Sequence, residues 1–567
     1  MPYRAPVADF RFLLDHVAGF DAVAATDRFS EATPDMTDAI LTEAAKMCEA
    51  VLAPLNRAGD LHPAHLENGV VRTSPGFAEG YRAIAEGGWI GMSADPANGG
   101  MGLPMALTTA VNDMMSAACL ALQLNPLMTQ GQIEALEHHA SDTLRDLYIP
   151  KLISGEWCGT MNLTEPQAGS DVGALRTKAT DNGDGTYAIT GQKIYISWAD
   201  NDFTDNVCHL VLARLPDGVA GTKGISLFLV PKFIPDADGN PGKANDLRVV
   251  SLEHKLGLHG SPTAVMEYSG AVGWMVGPEN GGMAAMFTMM NNARLGVGTQ
   301  GIGVAEGAYQ HALAYAQDRK QGKAGGTGSI IEHADVRRML AEMKADTFAA
   351  RAIAMMCACA IDMAAATDDA GWRARAAFLT PIAKAFGTDT GIKVASLGVQ
   401  VHGGMGFIEE TGAAQYLRDV RVTAIYEGTN GIQAMDLVAR KLMDGGEAAK
   451  LLIEEIRAGA EAARASHADL AEAVWQAAED LQETTDWLTA QDDLQQRFSG
   501  AVPYLAAFAR VLGGHAHLAA AIHGDAGCAR LATFYIKRLL PEVTGLLAHV
   551  REGSADLLAI TPDDLAA

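Results

Sequence analysis

Two short stretches concentrate the groups that could do chemistry. In AIYEGTNGIQ (residues 424–433) one carboxylate, Glu427, sits between Tyr426 and a run of small or backbone-permissive residues, just before a helix start. A glutamate beside glycine is ordinarily a solvated turn residue, so these ten residues leave its use open. In MNLTEPQAGSDV (161–172), Thr164, Ser170 and several backbone amides gather around Pro166 and Gly169. Such a loop can present N–H and O–H groups to a flat polar heterocycle or a phosphate, and it can equally be an irregular turn between helix and strand. In KIYIS the two-residue period puts Lys193, Tyr195 and Ser197 on one face of a strand and Ile194 and Ile196 on the other.

Something must hold these groups. Roughly the first 155 residues read as helical, with apolar residues three and four apart in LTEAAKMCEAVLAPLN and ALTTAVNDMMSAACLALQL. Asn125-Pro126 is read as the end of the second helix, and the Gly- and Pro-rich GWIGMSADPANGGMGLP as the loop between the two. From Cys158 to Val276 the grammar changes to short alternating or β-branched runs separated by turn clusters such as DNGDGT. Helix returns near Gly282, in a long segment whose small residues would permit close packing, and continues to DGGE (444–447), a natural linker. The remainder is helical with an acidic outer face. The expected fold class is α+β, with a helical domain at 1–157, a β domain at 158–277, a helical bundle at 278–443 and an additional helical domain at 444–567.

Composition bounds the partners. A chain of 567 residues can bury a large core. Its net charge of −25 speaks against nucleic acid as a main partner but not against a local basic pocket for an acidic small ligand. No run reads as a membrane span: AIAMMCACAI, from Ala352, stops at Asp362. The N-terminal stretch lacks the features of a secretory signal. Seven scattered cysteines without ligand-like pairs suggest buried thiols in a reducing compartment, hence a cytoplasmic location and no metal site.

LTEPQAGSDV resembles the flavin-contacting signature of the acyl-CoA dehydrogenase family. EHKLGLHGSPT (253–263), NNARLGVGTQGIGVAEGA (291–308) and VQVHGGMGF…YLRDVRVTAIYEGTNGIQ are similar to further family motifs, in the family's order, so the resemblance covers roughly residues 80–442. The long N-terminal segment and the extra C-terminal domain resemble the family's extended bacterial branch. The resemblance implies FAD, an acyl-CoA substrate and α,β-dehydrogenation, with Glu427 as the base in its loop. A thioester α-proton is weakly acidic and needs a base within hydrogen-bond reach, while flavin N5 accepts the β-hydride from the other side of the acyl chain. The Glu427 N–H would bind the thioester oxygen. Some relatives carry the base on the earlier helix; here that position is Ala293.

The same resemblance assigns FAD contacts to Leu163, Thr164, Gly169, Ser170, Tyr195, Ser197 and Thr429. It assigns cross-subunit FAD contacts to Arg319, Gln400, Gly403 and Gly404, and substrate contacts to Ser170, Arg294, Tyr426 and Gly428. Tyr195 and Ser197 stand where the family commonly has Trp and Thr, and the Phe-Gly that usually follows the Arg319 segment is altered. Gly431 replaces a common glutamine, with Asn430 as a possible substitute contact. The mechanism needs neither His254 nor His402. Implied partners are an electron-transfer flavoprotein and a second copy of the chain in a homodimer. The first substrate implied is 3-(methylthio)propanoyl-CoA, with medium or long straight-chain acyl-CoAs next. An acyl-CoA oxidase and a DNA-binding flavoprotein of the same fold are the alternatives, the acidic tail opposing the latter.

Overall fold

One long strand organises the β-rich part of the chain. In the computed structural model, which describes residues 3–323 and 325–566, contacts gather the chain into two units. One comprises Glu43–Leu103 and Ala118–Ala293; the other comprises Pro104–Ala117, Arg294–Ala567 and the segment ending at Thr42.

In the first unit β1 (His65–Glu67) and β2 (Val70–Arg72) make a hairpin. They are followed by β3 (Trp157–Asn162), β4 (Lys178–Asp181), β5 (Tyr187–Ser197), β6 (Asn206–Ala213), β7 (Ser226–Pro231), β8 (Phe233–Pro235), β9 (Pro241–Ala244), β10 (Leu247–Leu252) and β11 (Thr263–Val276). A mixed seven-stranded sheet runs β3-β6-β7-β11-β5-β4, with β10 beside β11, and β8 pairs with β9. Among the strands of the described residues, β3 and β6 pair in parallel and the other pairs are antiparallel. β11 pairs with β5 and β10 over its first part, then with β7 at Trp274–Val276, so one strand serves two sets of neighbours. Ile189, Ile196, Phe228, Val230 and Met266 turn inward to form the core between them.

Two expectations for this unit are corrected. The first 155 residues are not wholly helical: Asn68 and Gly69, both at positive φ (51° and 78°), turn the β1–β2 hairpin. Nor does Asn125-Pro126 end a helix, for the helix Met105–His139 runs through Pro126. Its break lies at Cys119, where φ is −157° and ψ 87°. The Trp198 indole N–H donates to the Ala121 carbonyl just beyond (3.1 Å), taking up an acceptor near the break.

The second unit is helical. The part of the helix Gly282–Asp318 that belongs to it crosses Ala370–His402 at glycines. A Cβ on Gly298 would lie 2.6 Å from the Ala383 carbonyl, and one on Gly391 2.6 Å from that of Gly301. The helix Ala334–Thr367 packs on Ala370–His402 and carries Arg351, whose guanidinium is buried between Asp113 (2.8 Å) and Glu306 (3.0 Å). Asp362 accepts from the backbone N–H groups of Met105 (2.6 Å) and Ala106 (2.9 Å), satisfying a helix N-terminus. The helices Glu447–Thr489 and Ala501–His523 pack into the same unit. Phe508 meets Phe378 at 5.0 Å, Arg510 pairs with Asp346, and His517 meets the Ala345 carbonyl at 3.0 Å.

The reading that no run suffices for a membrane span is also corrected. Met105–His139, Ala334–Thr367 and Ala501–His523 are long and apolar enough by length and composition. Asp362 did not end the second of these, because its carboxylate is spent on capping inside the fold. The apolar windows of all three are mostly buried in the folded chain.

Candidate active site

Glu427 occupies a loop whose backbone is forced. A 3₁₀ turn over Arg421–Ala424 leads into it, and Thr429 caps the following helix, Asn430–Asp436, by accepting from the Ile432 N–H (3.4 Å). Between these, Glu427 and Gly428 both lie in the left-handed region, at φ 55° and 85°. That conformation is costly for a residue with a Cβ and persists only where the surroundings impose it. The imposing groups are visible. Gln433 Nε2 donates to the Glu427 carbonyl (3.1 Å), and Lys384 Nζ donates to the Gly428 carbonyl (3.0 Å) and to Asn430 Oδ1 (2.9 Å).

The surroundings set the chemistry of the carboxyl group. Glu427 is half-buried, Lys384 is fully buried and Arg294 is buried. Burial pushes the Glu427 carboxyl up to about 7, against the opposing pull of the Arg294 and Lys384 cations. The Tyr426 hydroxyl donates to Gln300 Oε1, which fixes the ring next to Glu427. The Glu427 N–H makes no hydrogen bond among the described residues and is free to act as a donor. The loop therefore offers a carboxyl group poised near neutrality and an adjacent unpaired amide, the two elements of a proton abstraction with stabilisation of the resulting oxyanion.

The first unit presents the second group of residues. The expected strand face is corrected here. A bulge in the β5–β11 pairing between Lys193 and Ile196 coincides with Tyr195 at φ 62°, so strict alternation fails. Lys193 turns inward with Ile196 and is fully buried, while Tyr195 stands 62% exposed. Lys193 Nζ donates to the Leu163 carbonyl (3.0 Å) and to Glu165 Oε1 (2.9 Å). Glu165 also accepts from the N–H groups of Arg176 (2.7 Å) and Thr177 (3.0 Å). Although burial opposes it, Lys193 and these donors hold the Glu165 carboxyl down to about 2. The Ile194 N–H donates to the Thr164 carbonyl (3.0 Å), which ties the bulge to the loop. Leu163, Thr164 and Ser197 are half-buried, Gly169 and Ser170 are exposed, and a Cβ on Gly169 would meet nothing within 4 Å. An open aromatic face, hydroxyls and an unobstructed glycine fit a planar heterocycle with a phosphate tail.

Arg319, Gln400, Gly403 and Gly404 are not brought to Glu427. Gln400 lies sixteen residues beyond Lys384 on one helix, about 24 Å along its axis. These four residues do gather with one another. His402 stacks on Tyr315 (4.3 Å) and His311 (4.8 Å), which sets the helix ends carrying Arg319 and Gln400 side by side. Both glycines are exposed with no atom in the way of a Cβ, so a diphosphate could approach the backbone. His402 is buried, with Nδ1 on the Gly398 carbonyl at 2.7 Å. Asn430 cannot serve as a spare cofactor contact. Its amide donates to Ala385 (3.3 Å), Thr388 (3.0 Å) and Asp389 (2.7 Å), and its oxygen is taken by Lys384.

Sequence reasoning missed Lys384, Gln433, Gln300 and the Glu165–Lys193 pair. A lone lysine inside the otherwise apolar TPIAKAFG was the available signal for the first.

Comparisons with known proteins place four family models along the chain. They are described as acyl-CoA dehydrogenase N-terminal (34–156), middle (160–271) and C-terminal (280–443) domains, and as acetyl-CoA dehydrogenase C-terminal like (452–561). The chain is 45% identical over 521 residues to a 3-methylmercaptopropionyl-CoA dehydrogenase of Ruegeria pomeroyi, covering 89% of this chain and 88% of that protein. It is 34% identical to a butyryl-CoA dehydrogenase of Syntrophomonas wolfei, covering 96% of each. It shares its fold with Caenorhabditis elegans ACDH-11, solved in complex with C11-CoA, at a TM-score of 0.81 and 21% identity over 95% of this chain and 92% of that one.

Proposed function

The chain belongs to the acyl-CoA dehydrogenase family, and from that premise we propose that it binds FAD and oxidises 3-(methylthio)propanoyl-CoA between Cα and Cβ. The mechanism rests on Glu427, a carboxyl group held near neutrality beside an amide that makes no hydrogen bond among the described residues. The choice of substrate is supported by the end-to-end likeness to the Ruegeria protein.

In this reading Glu427, once ionised, takes the α-proton of the thioester. Its own N–H donates to the thioester oxygen as negative charge gathers there, a type of contact worth roughly 3–4 kcal/mol in other enzymes. Tyr426, Gly428, Arg294 and Ser170 orient the substrate. FAD, when bound, supplies the acceptor for the β-hydride. Leu163, Thr164, Gly169, Ser170, Tyr195, Ser197 and Thr429 would hold it in one subunit, and Arg319, Gln400, Gly403 and Gly404 would reach the cofactor of a second. Electrons then pass to an electron-transfer flavoprotein. Seven free thiols support a cytoplasmic setting.

A panel of acyl-CoAs assayed with an artificial electron acceptor tests the proposal. 3-(Methylthio)propanoyl-CoA should give the highest kcat/KM; a clear preference for butanoyl- or octanoyl-CoA would overturn the substrate. Peroxide formation without an added acceptor would mark an oxidase instead. Glu427→Gln should keep the yellow cofactor and substrate binding and lose at least about a hundredfold in turnover. Near-normal turnover in that variant would move the base elsewhere.

A further inference from the structure

We propose that Lys384 is a positioning residue for proton abstraction: with Asn430 and Gln433 it clamps the peptide carbonyls of Glu427 and Gly428, so that the loop carrying the base is held in one conformation. The inference rests on the reading of Glu427 as the base.

The argument begins with cost. An ammonium with no exposure to solvent is expensive unless its donors are used. Lys384 spends two of its three on the catalytic loop, at Gly428 O (3.0 Å) and Asn430 Oδ1 (2.9 Å). Among the described residues it forms no ion pair with Glu427, and its charge acts on the base only at a distance, favouring the ionised form. Gln433, one turn into the next helix, holds the carbonyl of Glu427 itself (3.1 Å).

With both carbonyls tied down, the peptide planes on either side of Gly428 cannot rotate, and the left-handed pair is imposed rather than sampled. Asn430 is bound in turn to Ala385, Thr388 and Asp389, so the loop hangs from a single stretch of one helix, 384–389. That helix is locked against the one bearing Arg294 and Gln300 by the glycine crossing at Gly298 and Gly391. A frame of this kind fixes the backbone that leaves the Glu427 Cα on its C-terminal side, and so the point from which the carboxylate reaches out. Burial lowers Lys384 to about 8, so it remains largely protonated at neutral pH.

The test uses the flavin-loaded enzyme and separates proton abstraction from oxidation. 3,3-Dimethylbutanoyl-CoA has no hydrogen on Cβ, so exchange of its α-protons with D2O, followed by NMR, reports the base alone. Lys384→Met should slow this exchange and kcat by about tenfold or more, with KM within about threefold of wild type and the flavin spectrum unchanged. Lys384→Ala should regain part of the lost exchange when ethylammonium is added, because the missing cation is returned to its pocket. Exchange within about threefold of wild type in Lys384→Met would overturn the clamp. Should that variant not fold, the alanine variant decides: recovery with ethylammonium supports the clamp, and a defect untouched by the amine overturns it. Glu427→Gln is the separate control. If it retains exchange, the reading of the base fails whatever Lys384 does.

Discussion

At the scale of the residue, Glu427 carries a cost that doubles as its use. A carboxyl group raised to about 7 binds its proton more tightly folded than unfolded, so its contribution to stability falls as pH rises from about 4 through 7. Activity runs the other way, because only the ionised form accepts the α-proton. We expect kcat/KM to climb by one proton's dependence through about 7 and then level off. Arg294 opposes the upward shift, so Arg294→Gln should move that acid limb to higher pH; an unmoved limb would detach the arginine from the base. By the same linkage Glu427→Gln should be the more stable protein at pH 8, by roughly 1–2 kcal/mol, and equal to wild type at pH 4. Denaturant melts at the two pH values read this out. Glu427 was legible in the sequence only through the motif around it. Lys384 was passed over, since a lysine in a helical pattern ordinarily reads as surface, even though its apolar neighbours in TPIAKAFG set it apart.

At the scale of the element, periodicity found the strands and long helices but not their local exceptions. The change from helical to alternating grammar near Cys158 marked the sheet, because half-buried strands need that alternation. The Tyr195 bulge escaped it, since one extra residue reverses every side chain beyond it while leaving the composition untouched. The Asn68-Gly69 hairpin carried its turn signal openly but lay within a stretch read as helix. Pro126 misled because a helix can pass a proline at the loss of one hydrogen bond, as Met105–His139 does. The bulge has an energetic anchor that can be tested. Lys193→Met leaves Glu165 charged, buried and short of its main cation, and should cost about 3–5 kcal/mol in denaturant unfolding. Asp362→Ala strands one buried and one half-buried backbone N–H group at the start of the helix Met105–His139 and should cost about 2–4 kcal/mol. A loss under about 1 kcal/mol in either case would show that water or a neighbour takes over the orphaned groups.

At the scale of the whole molecule, Arg319, Gln400, Gly403 and Gly404 gather at a helix end about 24 Å along the axis from Lys384, which holds the Glu427 loop. The proposed cofactor role of that cluster would then fall to a site other than the one beside Glu427 in the same chain. Next to it Phe407 is 86% exposed, with Met405 and Ile408 also exposed, an apolar surface that invites cover. Both features are accounted for if two copies pair and each lends this cluster to the cofactor bound by the other. Complementation separates the arrangements. Glu427→Gln and Arg319→Glu should each be inactive alone, since one lacks the base and the other repels the diphosphate. Co-expressed, random pairing makes half the dimers mixed, and each mixed dimer holds one site with both Glu427 and Arg319 intact. Activity should therefore return to about a quarter of wild type. If Arg319 served its own chain, no mixed dimer would contain an intact site, and co-expression would recover nothing.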